Sequence, residues 1–376
     1  MKILVLDAVN KNTLAIVRHL GREKKYEIHT VYHSKLSISI YSGYIKRSHK
    51  LSNPANSGKY KHDLIELLKQ EKFDLVIPVG FSTYKICAEI RDEIKKYSDV
   101  IVTTSENIDS TISKAKTYSI AEEVKIPYPK TFVAQTLNDL GKIKIKFPLV
   151  IKGPFEAGNN IVKYADNENE LKVEWKKMVE KYGFTSPDMP LIQEYIRGRG
   201  YGFFAYYDEG KLKRYFMHKR LREDPATGGA STCAESFRDE KLFEHGKKIL
   251  DHLNWNGVAM VEFKKGDDDG EYKLMEINPK FWGSLDLSLC AGVNFPYYLI
   301  QRHLKEEVAY SDDYNDIRFQ WLLNGELFHF FQRPLSLFAI TGDLFISKND
   351  IWLRDIKPNI FQLLLILVRF YKLFKK

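Results

Sequence analysis

The sequence is short of cysteine and has no long uninterrupted apolar run. Cys87, Cys233 and Cys290 stand far apart, with no CxxC spacing among them. That pattern fits neither a disulfide framework nor a zinc site, and it indicates a reducing compartment. The apolar run from Ile360 to Val368 falls well short of the ~20 residues that a spanning helix needs. The opening stretch, MKILVLDAV, reads as a strand, since no apolar segment with a cleavage site follows its lysine; the expected location is the cytoplasm. A dinucleotide fingerprint is missing as well. After the first strand comes DAVNKNT, not GxGxxG, so that region reads as a structural or substrate-contributing domain. No internal repeat or low-complexity stretch stands out.

What the chain does have is enough apolar material for more than one core. Its 376 residues suggest two or three domains, and a hydrophobic content of 44% is that of a soluble globular protein. The net charge of +9 would suit anionic partners such as nucleotides, phosphates or acidic headgroups. The lysines are scattered, however, and no basic-aromatic stripe accompanies them, so nucleic acid is not expected.

Strands and helices alternate over the first ~105 residues. Strand signals lie at 2–9, 26–32, 74–80 and 100–104, and helix signals at 12–20, 62–72 and 83–96. This alternation predicts a parallel, Rossmann-like sheet. From about Ser110 the texture changes to two-faced strands joined by turns, with a long helix over Glu168–Tyr182, as in an α+β region with antiparallel sheet. Past Gly292 the chain becomes helical and aromatic.

One stretch, LMEINPKFWGS (Leu274–Ser284), places Glu276 and Asn278 two apart on one strand face, before a proline that should end the strand. Upstream, GVAMVEF (Gly257–Phe263) is followed by KKGDDDGEY, a turn signal that predicts a hairpin. With the turn centred on Asp269, Glu262 lies opposite Glu276, at a Cβ separation of about 4.5–5.5 Å. Like charges that close require a shared proton, an interposed lysine or a bridging divalent cation. Two carboxylates and an amide oxygen form an all-oxygen set suited to Mg²⁺ or Mn²⁺, and Mg²⁺ in turn favours phosphate oxygens. The plain alternative is a solvated hairpin face.

Basic residues occur where phosphates would need them. Lys152 ends the buried strand PLVIKG, ahead of the loop GPFEAGNN, although a snorkelling strand-end lysine reads equally well in isolation. Lys114 precedes a helix and alone would pass for a surface lysine. Arg220 and Arg222, two apart in MHKRLRED, would share a strand face and suit phosphate or carboxylate, or form an ordinary basic face. His29 and His33 are expected at the surface around a strand.

Taken in order, these segments resemble the ATP-grasp superfamily, in particular its carbamoyl-phosphate-synthase-like branch of carboxylate–amine ligases. The resemblance runs from residue 1 to about 300. It rests on SKAKTYSIAEEVKIPYPKT, FPLVIKGPFEAGNN, LIQEYIRGRG, RLREDPATGGAS, VAMVEFK and LMEINPKFWGS. It implies an α/β plus α+β chain: a Rossmann-like pre-ATP-grasp domain over 1–108, a two-subdomain ATP-grasp domain over 109–305, and a helical C-terminal extension over 306–376. It also implies an ATP-dependent ligase that activates a carboxylate as an acyl phosphate and joins it to an amine, with ATP and Mg²⁺ (or Mn²⁺) between the subdomains. Lys114 and Lys152 would contact the phosphates, with Gly158 in the loop over them. Gln193, Glu194, Tyr195 and Ile196 would meet the adenine. Glu262, Glu276 and Asn278 would hold the metal, and Arg220, Lys280 and the TGGAS loop (Thr227–Ser231) would face the acyl phosphate or the acceptor. Two departures stand out: many relatives have arginine at the position of Lys280, and some hold the ribose with an acid where this chain has Tyr201.

A nucleotide-binding regulatory or scaffold protein of the same fold is the alternative, and phosphate transfer without ligation a third. Expected partners are a small carboxylate and an amine. Residues 313–376 lie beyond the motifs. A helix packed on the core or at a dimer interface is the preferred reading of that end, against an interfacial helix in peripheral contact with a membrane.

Overall fold

The computed structural model describes residues 1–155, 161–225 and 228–374. Five parallel strands open the chain: β1 (Lys2–Val5), β2 (Glu27–Tyr32), β3 (Ile45–Lys50), β4 (Leu75–Ile77) and β5 (Asp99–Val100). They lie in the order β3-β2-β1-β4-β5, with α1 (Lys11–Arg22), α2 (Ser57–Glu71), α3 (Phe81–Glu89) and α4 (Arg91–Ile94) in the connections and α5 (Ser105–Ile112) after β5. This is the doubly wound arrangement that the alternation predicts. Local chemistry sets the boundaries: Asn56 caps α2 by accepting from Lys59 N, and β4 ends where Pro78 follows Ile77.

The sequence reading misses β3, because IKRSHK is polar and alternates nothing; it pairs at the sheet edge, where only its backbone is needed. The helix expected over 83–96 breaks at Ile90 into α3 and α4, and the strand expected over 100–104 pairs only through Asp99 and Val100. His29 is also not at the surface. It is buried in β2, with Nδ1 2.8 Å from His49 Nε2 and Nε2 2.9 Å from Glu27 Oε1, because a parallel sheet covered on both faces leaves its strands no wet side.

After α6 (Lys114–Glu123) comes a four-stranded antiparallel sheet in the order β6-β9-β7-β8: β6 (Thr131–Val133), β7 (Leu149–Lys152), β8 (Val162–Ala165) and β9 (Leu191–Glu194). It is backed by α7 (Glu168–Tyr182), whose bounds match the sequence reading. Asn167 caps its start, accepting from Glu170 N, and Gly183 ends it in the left-handed region at φ 67°. Leu171, Trp175 and Met178 pack α7 onto Leu149, Ile151 and Ile192.

The largest sheet has seven strands in the order β14-β13-β10-β11-β12-β15-β16. They are β10 (Gly198–Asp208), β11 (Lys211–Asp224), β12 (Ala230–Ser236), β13 (Gly257–Gly266), β14 (Tyr272–Asn278), β15 (Arg318–Gln320) and β16 (Lys348–Asn349). One of its faces is covered by α8 (Glu240–His252). The other shares a core with the N-terminal sheet, α9 (Leu285–Cys290) and α10 (Phe295–His303), through Phe204, Phe216 and Trp321 among others.

The end of the chain carries α11 (Leu327–Gln332), α12 (Leu337–Asp343) and α13 (Ile356–Phe374), and is helical as expected. It also supplies β15 and β16, which extend the sheet beyond β12 and which the aromatic, leucine-rich sequence conceals. Arg18 anchors α13 to α1: its Nε donates to Asp355 Oδ2 at 3.0 Å, and its Nη2 to Asp355 O at 2.8 Å and Asn359 Oδ1 at 3.0 Å.

Candidate active site

A cleft of about 700 Å³ opens between the four-stranded and seven-stranded sheets. The small sheet contributes Val150 and Lys152 from β7 and Glu194 at the end of β9, followed by Tyr195 and Ile196. The large sheet contributes Arg220 and Glu223 from β11, Met260, Glu262 and Lys264 from β13, and Met275, Glu276 and Asn278 from β14. Lys114, Lys280, Trp282 and Phe81 also line it, as do Asp224 and the loop from Gly228 to Ser231.

Glu262 and Glu276 pair directly across β13 and β14, as the hairpin reading requires, though the turn is not centred on Asp269. Near the turn the ladder runs Lys264 to Lys273 and Phe263 to Leu274. One residue, Met275, then bulges out, and the shifted register brings Glu276 opposite Glu262 and Asn278 opposite Met260. The bulge also turns Met275 into the cleft, and its carbonyl accepts from Tyr118 OH at 3.1 Å.

Hydrogen bonding and charge divide the two acids. Arg220 Nη2 lies 2.5 Å from Glu262 Oε2, and Asn278 Nδ2 donates to Glu276 Oε1 at 2.6 Å. Burial raises the Glu262 carboxyl, and Arg220 only partly offsets this while Glu276 adds to it. Burial also pushes Glu276 up, but Lys114, the Asn278 amide, Lys280 and Arg220 outweigh it and leave Glu276 below the usual range. The result is a pair of carboxyls with opposite shifts.

The lysines shift the other way. Burial, with Lys114 nearby, brings Lys152 down to about 8, against the pull of Glu276 and Glu262. Burial likewise lowers Lys114 and Lys280, both facing the same two glutamates. Five cations line the cleft against five carboxylates. Glu194 is engaged by Lys273 at 3.4 Å and Lys130 N at 3.1 Å, however, and Asp224 by Gln332 at 2.6 Å. The centre is therefore cation-rich, a setting that suits polyphosphate. Arg220 Nε and Trp282 Nε1 add two buried donors that have no hydrogen-bond partner among the described residues.

The donor set fits a hard divalent cation. Among the described residues no group of three or more His, Cys, Asp or Glu is arranged to hold a metal. Two opposed carboxylates and an amide are what the cleft offers, and such a set leaves Mg²⁺ room for water and phosphate oxygens. Asn278 would have to turn its amide oxygen toward the carboxylates, since its nitrogen now bonds Glu276.

The structure thus brings Lys114, Lys152, Glu194, Tyr195, Ile196, Arg220, Glu262, Glu276, Asn278 and Lys280 to one cleft. Gln193 is different. It is buried behind the cleft, where its Nε2 donates to Thr131 Oγ1 at 2.8 Å and its Oε1 accepts from Tyr118 OH at 3.4 Å, because successive strand residues point to opposite faces. Arg222 is also turned away. A bulge between Arg220 and Arg222 sends it to Glu326 at 2.8 Å and Asp343 at 2.7 Å, so the two arginines do not share a face. Gly158, with Asn159 and Asn160, and Thr227 lie outside the described residues. The rest of the TGGAS loop lines the cleft, and Arg220 Nη1 donates to Gly229 O at 3.0 Å. A Cβ on Gly229 would come within 2.2 Å of Asp224 O, so the loop closes this tightly only with glycine there.

The sequence reading overlooked Lys264, Glu223, Trp282 and Phe81. Lys264 was within reach, since it follows Glu262 by two and must share its face. Glu223 was not, because the bulge resets the alternation, and Phe81 comes from a different sheet's connection.

Comparison with known proteins agrees with this geometry. Residues 187–324 match the family described as "ATP-grasp in the biosynthetic pathway with Ter operon". Among curated relatives, D-aspartate ligase of Enterococcus faecium is 21% identical over 276 residues, which cover 68% of this chain and 65% of that protein. Carbamoyl phosphate synthase large chain of Caldanaerobacter subterraneus is 23% identical over 227 residues, 58% of this chain and 20% of that one. The chain therefore spans less than two thirds of these relatives. Among solved structures, biotin carboxylase of Campylobacter jejuni superposes with a TM-score of 0.69 at 15% identity, covering 84% of this chain and 73% of that one. L-amino acid ligase of Bacillus licheniformis gives 0.66 at 16%, covering 83% and 77%.

Proposed function

We propose that the chain, which has the fold of ATP-grasp enzymes, is an ATP-dependent ligase joining a carboxylate to an amine. The observation that carries this reading is the opposed pair Glu262 and Glu276, ringed in one cleft by Lys114, Lys152, Lys280 and Arg220. Glu262, Glu276 and Asn278 would hold Mg²⁺, which would supply charge neutralisation on the transferring phosphoryl group. Lys152 and Lys114 neutralise the phosphate oxygens from the other side. Val150, Tyr195, Ile196 and Met275 offer an apolar slot for a flat base, with Tyr195 flanked by Tyr164 at 5.8 Å and Lys264 at 5.2 Å. Arg220, the partnerless Trp282 Nε1 and Lys280 supply the donors for the carboxylate being activated. Its oxygen displaces ADP from the γ-phosphorus; the amine then attacks the acyl carbon, releasing phosphate and a proton.

Two similar proteins are named as D-aspartate ligase and L-amino acid ligase, so amino acids are the first substrates to offer. Peripheral membrane contact and a homodimer remain proposals for partners. Against the scaffold alternative stands the gathering of Lys114, Lys152, Lys280, Arg220, Glu262 and Glu276 in one cleft.

The experiment is ADP release across a panel of carboxylates and amines, with product mass detection. Ligase activity predicts a product lighter by one water than the substrates combined, and its loss in Glu276→Ala. Binding of ATP without turnover across the panel would favour the scaffold, and normal turnover by Glu276→Ala would remove the metal assignment.

A further inference from the structure

The C-terminal extension is inside out. On α13, Asn359 and Gln362 face the protein and are almost fully buried. Asn359 accepts from Arg18 Nη2 at 3.0 Å and Trp352 N at 2.9 Å, and donates to Asp350 O at 2.9 Å; Gln362 donates to Asn324 Oδ1 at 3.3 Å. The apolar residues Ile360, Leu363, Leu364, Leu367 and Val368 recur at helical spacing on the opposite side and are all about half exposed. The segment before α13 continues the pattern: Leu335, Phe338, Phe345 and Leu353 are each at least 80% exposed. Residues 331–368 are about a tenth of the chain, yet they hold 15 of the 27 large apolar side chains exposed among the described residues.

Charge on this surface has one sign. Its acids, Asp343, Asp350 and Asp355, are all buried: Asp343 pairs with Arg318 and Arg222, Asp350 accepts from Leu323 N and Asn324, and Asp355 pairs with Arg18. The exposed charged residues over 331–368 are Arg333, Lys348, Arg354 and Lys357. No helix is long and apolar enough to cross a membrane among the described residues.

We propose that residues 331–368 form a docking surface for a bilayer carrying anionic headgroups. Apolar side chains enter the interface while the four cations meet the headgroups. A second copy of this surface fits less well, since two like faces would set cations against cations with no exposed acid to answer them. The docking surface is continuous with the cleft: Glu223 O lies 2.6 Å from His329 Nδ1, and Asp224 Oδ1 accepts from Gln332 on the same helix as Phe331. The proposal goes beyond the ligase reading and does not rest on it.

The test is sedimentation of the full chain with vesicles of phosphatidylcholine alone, or of phosphatidylcholine mixed with phosphatidylglycerol, without nucleotide. About ten-fold or more greater partition onto the mixed vesicles is expected, falling with added salt. Phe338→Ser with Phe345→Ser should remove binding, and Arg354→Glu with Lys357→Glu should remove the preference for anionic lipid, with circular dichroism unchanged. Equal partition onto both lipids, no partition, or binding unaffected by either pair of substitutions would overturn the proposal. A stable dimer that Phe338→Ser with Phe345→Ser dissociates would assign the surface to a second copy instead.

Discussion

Arg220 reaches Glu262 with Nη2 at 2.5 Å and Gly229 O with Nη1 at 3.0 Å, so one side chain joins the carboxylate pair to the loop at the cleft rim. Removing it would leave Glu262 buried beside Glu276 with its main counter-charge gone. Arg220→Ala is therefore expected to cost about 2–4 kcal/mol of stability in urea titration. Arg220→Lys keeps the charge but not the fork that reaches both partners. We expect that variant to hold most of the stability while kcat falls about 100-fold, with KM for ATP changing less.

Lys152 carries a testable pH dependence. Burial and Lys114 lower it to about 8, so its ammonium form is lost as pH rises through that value. Polyphosphate binds better to the charged form, and binding raises the pKa again. Affinity for ATP should accordingly be flat below pH 8 and fall by up to about ten-fold per pH unit above it. Isothermal titration across pH 7 to 9.5 measures this, and Lys152→Arg should flatten the fall because guanidinium stays charged (about 12 or above).

The hairpin shows how much of this site was legible, and how. Alternation on β14 put Glu276 and Asn278 on one face, and the pairing with Glu262 followed from a turn centre that is off by half a residue. The bulge at Met275 makes up the difference, and nothing in the run LMEIN marks it. The same limit hid the divergence of Arg220 and Arg222, since each bulge resets the two-residue period. Parallel strands rich in Ile, Leu and Val were readable because they are buried on both faces, whereas β3 was not, being polar, nor β15, a three-residue strand in an aromatic stretch. Contacts between distant segments, such as Phe81 at the cleft or Arg18 with Asp355, leave no local pattern to read.

That Arg18–Asp355 pair makes a prediction about the C-terminal extension. Both side chains are about 3% exposed, and Asp355 also accepts from Ser42 Oγ and Gly43 N, each at 2.9 Å. Truncating one partner strands the other charge away from water. Asp355→Ala should cost about 3–5 kcal/mol in urea titration and expose the α13 backbone to hydrogen exchange, while the amides of β13 and β14 stay protected. Loss of protection throughout the chain would mean that the extension is part of the cooperative fold.

His49 predicts how the N-terminal sheet fails in acid. Burial, with His29 2.8 Å away, lowers His49 to about 4, against about 6.5 for an unfolded histidine. Between those values the unfolded chain binds a proton that the folded chain refuses, so stability falls as pH drops from about 6.5 to about 4. Solvent reaches part of this site and screens the effect, which is on the order of 1–2 kcal/mol. His19, lowered to about 4 mainly by burial, adds a contribution of the same sign. His49→Gln keeps an amide that can donate to His29 Nδ1 but no longer titrates. Urea titrations at pH 7, 5.5 and 4.5 should show the variant losing less stability than the parent over that range, with His19 and carboxylates held low, such as Glu71, among the groups that carry the rest. Equal losses in the two proteins would show that His49 takes up its proton without opening the sheet.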